Sequence, residues 1–352
     1  MAISRNKIQQ FQNKESFAQD EICRRIGVGH NSIYGNIRPE VELAFSIAFG
    51  QETNIDAGPY LEKMDPTWFR KFPVRALQRK GFIPEGLKDQ TLVRALLEFM
   101  GVGSIEGFNN YYAATLDSAN PQTYAAWIRM GELSVKRTTE EFSPDKELLA
   151  QNLKFLCKNS LLLSSIRKRS LRTTTKEILQ NSGIKFIEMD PFLAAPFPTC
   201  ACYWVGSQPV VQVSTHEMDD SKFLEAVLHA VGHIVLHPIR TMCLIAPQAD
   251  AQSTKAAEIE SGKSDNAKIT NERTSCKCSN KRCDEATLFA QNLLLPEACE
   301  CELVCSGDFE DPNCIRHFSR VFRIRPGILV ERLQQQGKIP RRSLLNEFKQ
   351  AV

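Results

Sequence analysis

Apolar residues recur with a helical period through residues 1–160, and after about residue 176 the period shifts toward alternation. Near the start, EICRRIGVGHNSIYGN reads as a helix, a glycine-containing turn and a second short helix, the outline of a helix-turn-helix. PEVELAFSIAFG follows with Val41, Ala44, Phe45, Ala48 and Phe49 at helical spacing and closes on Gly50. VRALQRKGF, DQTLVRALLEFMGV, QTYAAWIRMGEL and KELLAQNLKFLCKN repeat the helical pattern, with Gly or Pro between most of them. IKFIEM and PVVQVST are then rich in strand formers and flank PFLAAPFPTCACYWVG, which is expected to wander before pairing in a small sheet. A helix comes next: Asp219, Asp220 and Ser221 can cap it, Phe223, Leu224, Val227, Leu228 and Val231 form its stripe, and Pro238 stops it. Residues 247–282 are polar and almost free of large apolar groups, so they are expected to form a mobile insertion. CDEATLFAQNLLLP resumes as an amphipathic helix with Ala286, Phe289, Ala290, Leu293 and Leu294 on one face, ended by Pro296.

This order predicts an α+β, mostly helical fold: a helix-turn-helix-like region over 1–60, a helical connector over 61–175, a small-sheet domain over 176–340 and a tail over 341–352. A length of 352 residues is enough for two or three domains with their own cores. The net charge of +3 does not by itself call for nucleic acid, so any such contact must come from a local basic patch. IRKRSLRTTTK (166–176) and the RIRPGILVERLQQQGKIPRR end are the two available, and a solvated helix face is the simpler reading of each. No run approaches the ~20 apolar residues that span a bilayer, and the N-terminus lacks an apolar signal core, so a cytoplasmic protein with no membrane partner is expected. In that reducing setting the twelve cysteines should be thiols or metal ligands.

The chemistry concentrates in LHAVGHIVLHP (228–238). In H-E-x-x-H helices two histidines hold zinc and the glutamate activates water; here Ala230 stands at the glutamate position. Residues i and i+4 point the same way, about 6 Å apart along the axis, so His229 and His233 can reach one ion. His237 lies about 12 Å beyond His229 along a continued helix, too far to share an ion with ~2 Å bonds to nitrogen, and is given a packing or supporting role. A third ligand can come from Cys283 or Glu285, but two positions apart on a helix these diverge by about 200°, so only one faces the histidines. Cys283 lies nearer the apolar face, while Glu285 has the commoner side chain for the role.

LHAVGHIVLHP followed by DEATLFAQNLLLP resembles the ImmA/IrrE family of zincin-like domains, in which H-E-x-G-H-x-x-x-H precedes E-x-x-A-x-x-F-A-x-x-L-L-x-P. KFPVRALQRKGFI, LLEFMGVGSIEGF, AAWIRMGE, SGIKFIEMDP and IRPGILVERLQQQGKI resemble segments of bacterial proteins that join an XRE-type helix-turn-helix of the HigA antitoxin type to such a domain. Two departures matter: the family's catalytic glutamate falls on Ala230 and its acidic ligand on Cys283. Loss of a general base costs roughly 10²–10⁴-fold in rate, whereas two histidines and a cysteine remain a sound zinc set. Zinc binding with little or no hydrolysis is therefore expected, with Glu225, one turn before His229, a remote substitute for the base.

The resemblance implies a DNA-binding regulator of the antitoxin type, a homodimer on operator DNA that contacts a cognate toxin or a repressor protein. The segment near 30–37 would enter the major groove, with Asn31, Ser32, Tyr34 and Asn36 available to bases or phosphates and Arg24, Arg25 and Arg38 on the backbone. The alternative is a zinc-dependent peptidase that cleaves a repressor or partner. Cys276, Cys278, Cys299, Cys301 and Cys305 add a possible thiolate cluster, although C-x-C spacing is not the usual C-x₂-C, and free thiols account for it equally well.

Overall fold

The computed structural model describes residues 5–15, 17–33, 37–65, 67–113, 121–138, 140–161, 171–191, 199–216, 218–237, 240, 242–245 and 280–349. The fold is α+β and mostly helical, with one four-stranded mixed sheet. Two compact units emerge: Met1–Glu141 with Pro191–Ala194 and Trp204–Gln208, and Phe142–Asp190 with Ala195–Tyr203 and Pro209–Val352. The main division thus falls at 141/142, between the boundaries expected at 60 and 175. The expected polar insertion lies outside the described residues up to Asn280.

In the first unit, α1 (Arg5–Glu15), α2 (Gln19–Ile26), a 3-10 turn (His30–Ile33) and α3 (Pro39–Phe49) share a core of Ile8, Ile22, Ile26, Ile33 and Phe45. Gly27 closes α2 and Gly50 closes α3, both in the left-handed conformation that a Cβ disfavours. The second helix of the expected helix-turn-helix is only this four-residue 3-10 turn. After α4 (Gly58–Leu61) and α5 (Val74–Arg79) come α6 (Asp89–Met100), α7 (Ile105–Phe108) and α8 (Pro121–Leu133). α6 packs on both α3 and α8, so residues 1–60 are not separate from the helices of the expected connector. α7 packs on α2 so closely that a Cβ on Gly107 would lie 2.1 Å from the Arg25 carbonyl oxygen.

Buried charge holds this unit together. Arg25, 2% exposed, donates to Glu21 (3.0 Å), Glu132 (3.2 Å) and the Gly101 carbonyl (3.3 Å), and its guanidinium lies 3.7 Å from the Tyr111 ring centre. Glu132 also accepts from Arg129 (2.8 Å) and the Tyr112 hydroxyl (3.0 Å). Burial pushes the Glu132 carboxyl up, but Arg25 and Arg129 outweigh it and hold the group below its ordinary range.

In the second unit, α9 (Lys146–Lys158) and α10 (Leu171–Asn181) pack together, and α10 lies on β1 (Lys185–Met189). β2 (Cys200–Val205), β3 (Gln208–Ser214) and β4 (Cys243–Ile245) complete a sheet of order β1-β3-β2-β4. β1 runs parallel to β3, and β2 antiparallel to β4 with Cys202 opposite Cys243. Part of the segment expected to wander is therefore an interior strand, β2, whose Cys200 and Cys202 are buried as packing residues. α11 (Asp220–Leu236) and α12 (Asn280–Leu294) form the principal helix pair, followed by α13 (Glu297–Cys305), α14 (Pro312–Phe322) and α15 (Pro326–Gln335). Asp219 caps α11 by accepting from the Lys222 N–H (2.9 Å), while Asp220 pairs with buried Arg325 (2.9 Å). Arg332 and Arg341 pair with Glu300 (2.6 Å) and Glu331 (2.7 Å), so part of the charge of the basic C-terminal stretch is compensated within the unit. Among the described residues, no helix is long and apolar enough to cross a membrane.

Removing one partner of a buried ion pair leaves the other uncompensated, at a cost of about 3–5 kcal/mol. Glu132→Ala is expected to destabilise the protein by that order in denaturant unfolding. A loss under about 1 kcal/mol would show that Arg25 readily finds other partners.

Candidate metal centre

α11 carries the two histidines on the side that meets α12. Gly232, between them in the helix, permits the approach: a Cβ there would lie 3.0 Å from the Ala286 Cα. His229 is 1% exposed and His233 4%, and their Nε2 atoms stand 3.1 Å apart. Cys243, 1% exposed on β4, completes a group whose ligand atoms all lie within 4.8 Å of one another. This buried trio can hold a metal ion.

The neighbours of His229 set its orientation. The Thr287 hydroxyl donates to the Cys283 carbonyl (2.8 Å) and lies 3.3 Å from His229 Nδ1. With its one hydrogen committed, the hydroxyl serves as acceptor for Nδ1–H, which leaves Nε2 as the bare lone pair facing His233 and Cys283. Cys283, in the first turn of α12, brings its Sγ to 3.7 Å from that same Nε2.

Of the two alternatives on α12, Cys283 approaches His229, whereas Glu285 is directed to His237; neither belongs to the group of His229, His233 and Cys243. Glu285 is half-exposed, with its carboxylate 3.7 Å from His237 Nδ1. His237 caps the end of α11, where the chain leaves the helix, and its Nε2 lies 3.1 Å from the Arg282 carbonyl oxygen. It thus ties the end of α11 to the start of α12. Ala230 is fully buried and offers no proton acceptor. Cys243 is not among the ligands legible in the sequence, because a lone cysteine in a three-residue strand carries no spacing signal; only the pairing of β4 with β2 brings it beneath α11.

The other expected site residues are scattered. Cys276 and Cys278 lie outside the described residues, as do Tyr34 and Asn36. Cys301 and Cys305 are exposed on α13 and Cys299 is half-buried; among the described residues these thiols join no group of three possible ligands. Asn31 is exposed and Ser32 half-buried on the 3-10 turn, Arg38 is exposed at the start of α3, and Arg24 pairs with Asp20 (2.9 Å). Arg25, expected on a DNA backbone, is instead enclosed by Glu21 and Glu132 and is not available to a phosphate.

Glu225, the remote candidate for a base, has its carboxylate engaged by another helix. Gln335 Nε2 donates to both of its carboxylate oxygens (2.9 and 2.8 Å), turning it toward α15. Burial, with Glu331 adding repulsion, pushes its carboxyl from 4.5 up to about 7. The folded protein thus holds this proton more tightly than the unfolded chain, and the associated stability is full below about pH 4.5 and lost as pH rises through about 7. Glu225→Gln is expected to flatten the decline in melting temperature across that window and to melt above the parent at pH 8. Parallel profiles would place the carboxyl at its ordinary value. Compared with protein-family models, curated proteins and solved structures, the chain matches none.

Proposed function

We propose that this protein is a regulator built on a zinc-binding, peptidase-like unit that does not hydrolyse peptides. The observation that carries the reading is the buried His229, His233 and Cys243 group with Ala230 beside it on the same helix. When bound, zinc polarises whatever occupies an open coordination position, and hydrolysis further needs a base to take a proton from water. In this chain His229 and His233 present nitrogen, Thr287 holds the His229 ring, Ala230 supplies no base and Glu225 is engaged by Gln335. The unit is equipped to keep an ion and to lack a proton acceptor beside it.

Purified protein is expected to carry one zinc per chain at the pair, lost in the His229→Ala, His233→Ala double variant. Thr287→Val should weaken zinc about 10–100-fold against a competing chelator, the usual effect of removing a hydrogen bond that orients a ligand. Metal-dependent cleavage of a mixed-peptide digest by the unaltered chain would reject the non-hydrolytic reading, and absence of zinc from both proteins would reject the metal.

The regulator part of the proposal rests on the resemblance and on the α2, 3-10 turn and α3 core of the first unit. With Arg25 enclosed, operator contact falls to Asn31, Ser32, Arg24 and Arg38, together with Tyr34 and Asn36, which lie outside the described residues. Two cations per copy correspond to a slope of log affinity against log salt near −2 per copy, from about −0.9 per phosphate neutralised. Binding of operator-like DNA with that slope, weakened by Arg38→Ala, is the expected result; salt-insensitive binding or none would leave protein partners as the target.

A further inference from the structure

Two cysteines from different elements approach the histidines, Cys243 both of them and Cys283 His229, and they bracket the polar stretch 247–282 in the sequence. Cys243 lies within 4.8 Å of a ligand nitrogen on each histidine, and Cys283 approaches His229 Nε2 at 3.7 Å. Zinc with bonds of about 2.0–2.1 Å to nitrogen and 2.3 Å to sulfur at tetrahedral angles separates two nitrogens by about 3.3 Å and a nitrogen from a sulfur by about 3.6 Å. The observed 3.1 Å between the histidine nitrogens and 3.7 Å from His229 to Cys283 match those two edges closely.

Charge points the same way. Two neutral imidazoles and one thiolate around a divalent ion leave a net positive charge, which is costly where His229, His233 and Cys243 are all buried. A second thiolate brings the site to neutrality. Cys283 is placed to supply it, with its half-buried Sγ 3.7 Å from His229 Nε2.

We propose that Cys243 and Cys283 are both ligands, and that with His229 and His233 they close a four-coordinate zinc site with no position left for water or substrate. The inference rests on the zinc reading above and deepens it. The ion joins α11, β4 and α12, and ties together two cysteines on either side of the 247–282 stretch. A closed set of two imidazoles and two thiolates is the coordination of a structural site, and it makes the missing glutamate at position 230 only one of two obstacles to hydrolysis.

X-ray absorption on the zinc-loaded full-length protein is the direct test: two sulfur and two imidazole nitrogen neighbours per zinc are expected. In the cobalt-substituted protein, thiolate-to-metal charge-transfer absorbance per ion should fall to about half in Cys243→Ser and again to about half in Cys283→Ser. The second substitution, at a half-exposed position, keeps the test available if the buried Cys243→Ser does not fold. Ala230→Glu alone should gain no metal-dependent peptide cleavage. One sulfur per zinc, or cleavage restored by Ala230→Glu alone, would overturn the closed site while leaving the zinc reading in place. Three sulfurs would overturn it by bringing in Cys202, and absence of zinc would remove both readings.

Discussion

The site in the second unit depends on how closely α11 and α12 approach at Gly232 and Ala286. A helix pair separated by one more methyl group would part the two faces that carry His229 and Cys283, whose reactive atoms are 3.7 Å apart. The same approach lets Thr287, one turn beyond Cys283, receive the His229 ring and fix which nitrogen faces inward. Close packing thus becomes coordination geometry. His237 secures the lower end of the arrangement through the Arg282 carbonyl, so the start of α12 is held at two places along α11.

Burial of charged and polar groups is costly without a partner, and the two units meet that demand differently. In the first, Arg25 and Glu132 compensate each other directly, with Tyr111 and Tyr112 filling the remaining hydrogen-bonding capacity. In the second, the two buried histidine nitrogens face each other at 3.1 Å; they either share one proton or face a common cation. The two nearby cysteines favour the cation, because a thiolate beside a metal ion is stabilised where a buried thiolate alone is not. The consequence for function is asymmetric: the charge that stabilises the first unit is withdrawn from nucleic-acid contact, whereas the polar groups of the second are arranged around a position where an ion can sit.

A helix with two buried histidines and an alanine between them can serve an ion in two ways, with a position left open for chemistry or with every position filled by protein. Cys243 bears on that choice more than Ala230 does. Alanine at position 230 withholds a proton acceptor, whereas a fourth protein ligand would remove the position where water binds. Glu225 shows how firmly the surroundings have settled otherwise, since its carboxylate serves Gln335 on α15 and burial raises it toward the neutral form.

Much of the local structure was determined by the sequence by itself. The helical periods of α3, α6, α8, α9, α11 and α12, the Asp219 cap, the closing glycines at 27 and 50, and strands β1 and β3 all follow from spacing and backbone preference within a few residues. The same holds for His229 and His233, which share a face because four residues make about one helical turn. Tertiary structure decided the rest. Whether Cys283 or Glu285 faces the pair depends on the rotation of α12 against α11, and the fate of Arg25 depends on residues more than a hundred positions away at Glu132. Strand β2 and the arrival of Cys243 arise from cross-strand pairing over some forty residues. Periodicity records which side of an element is apolar, but not which other element will cover it, and every one of these outcomes is a contact between elements distant in the chain.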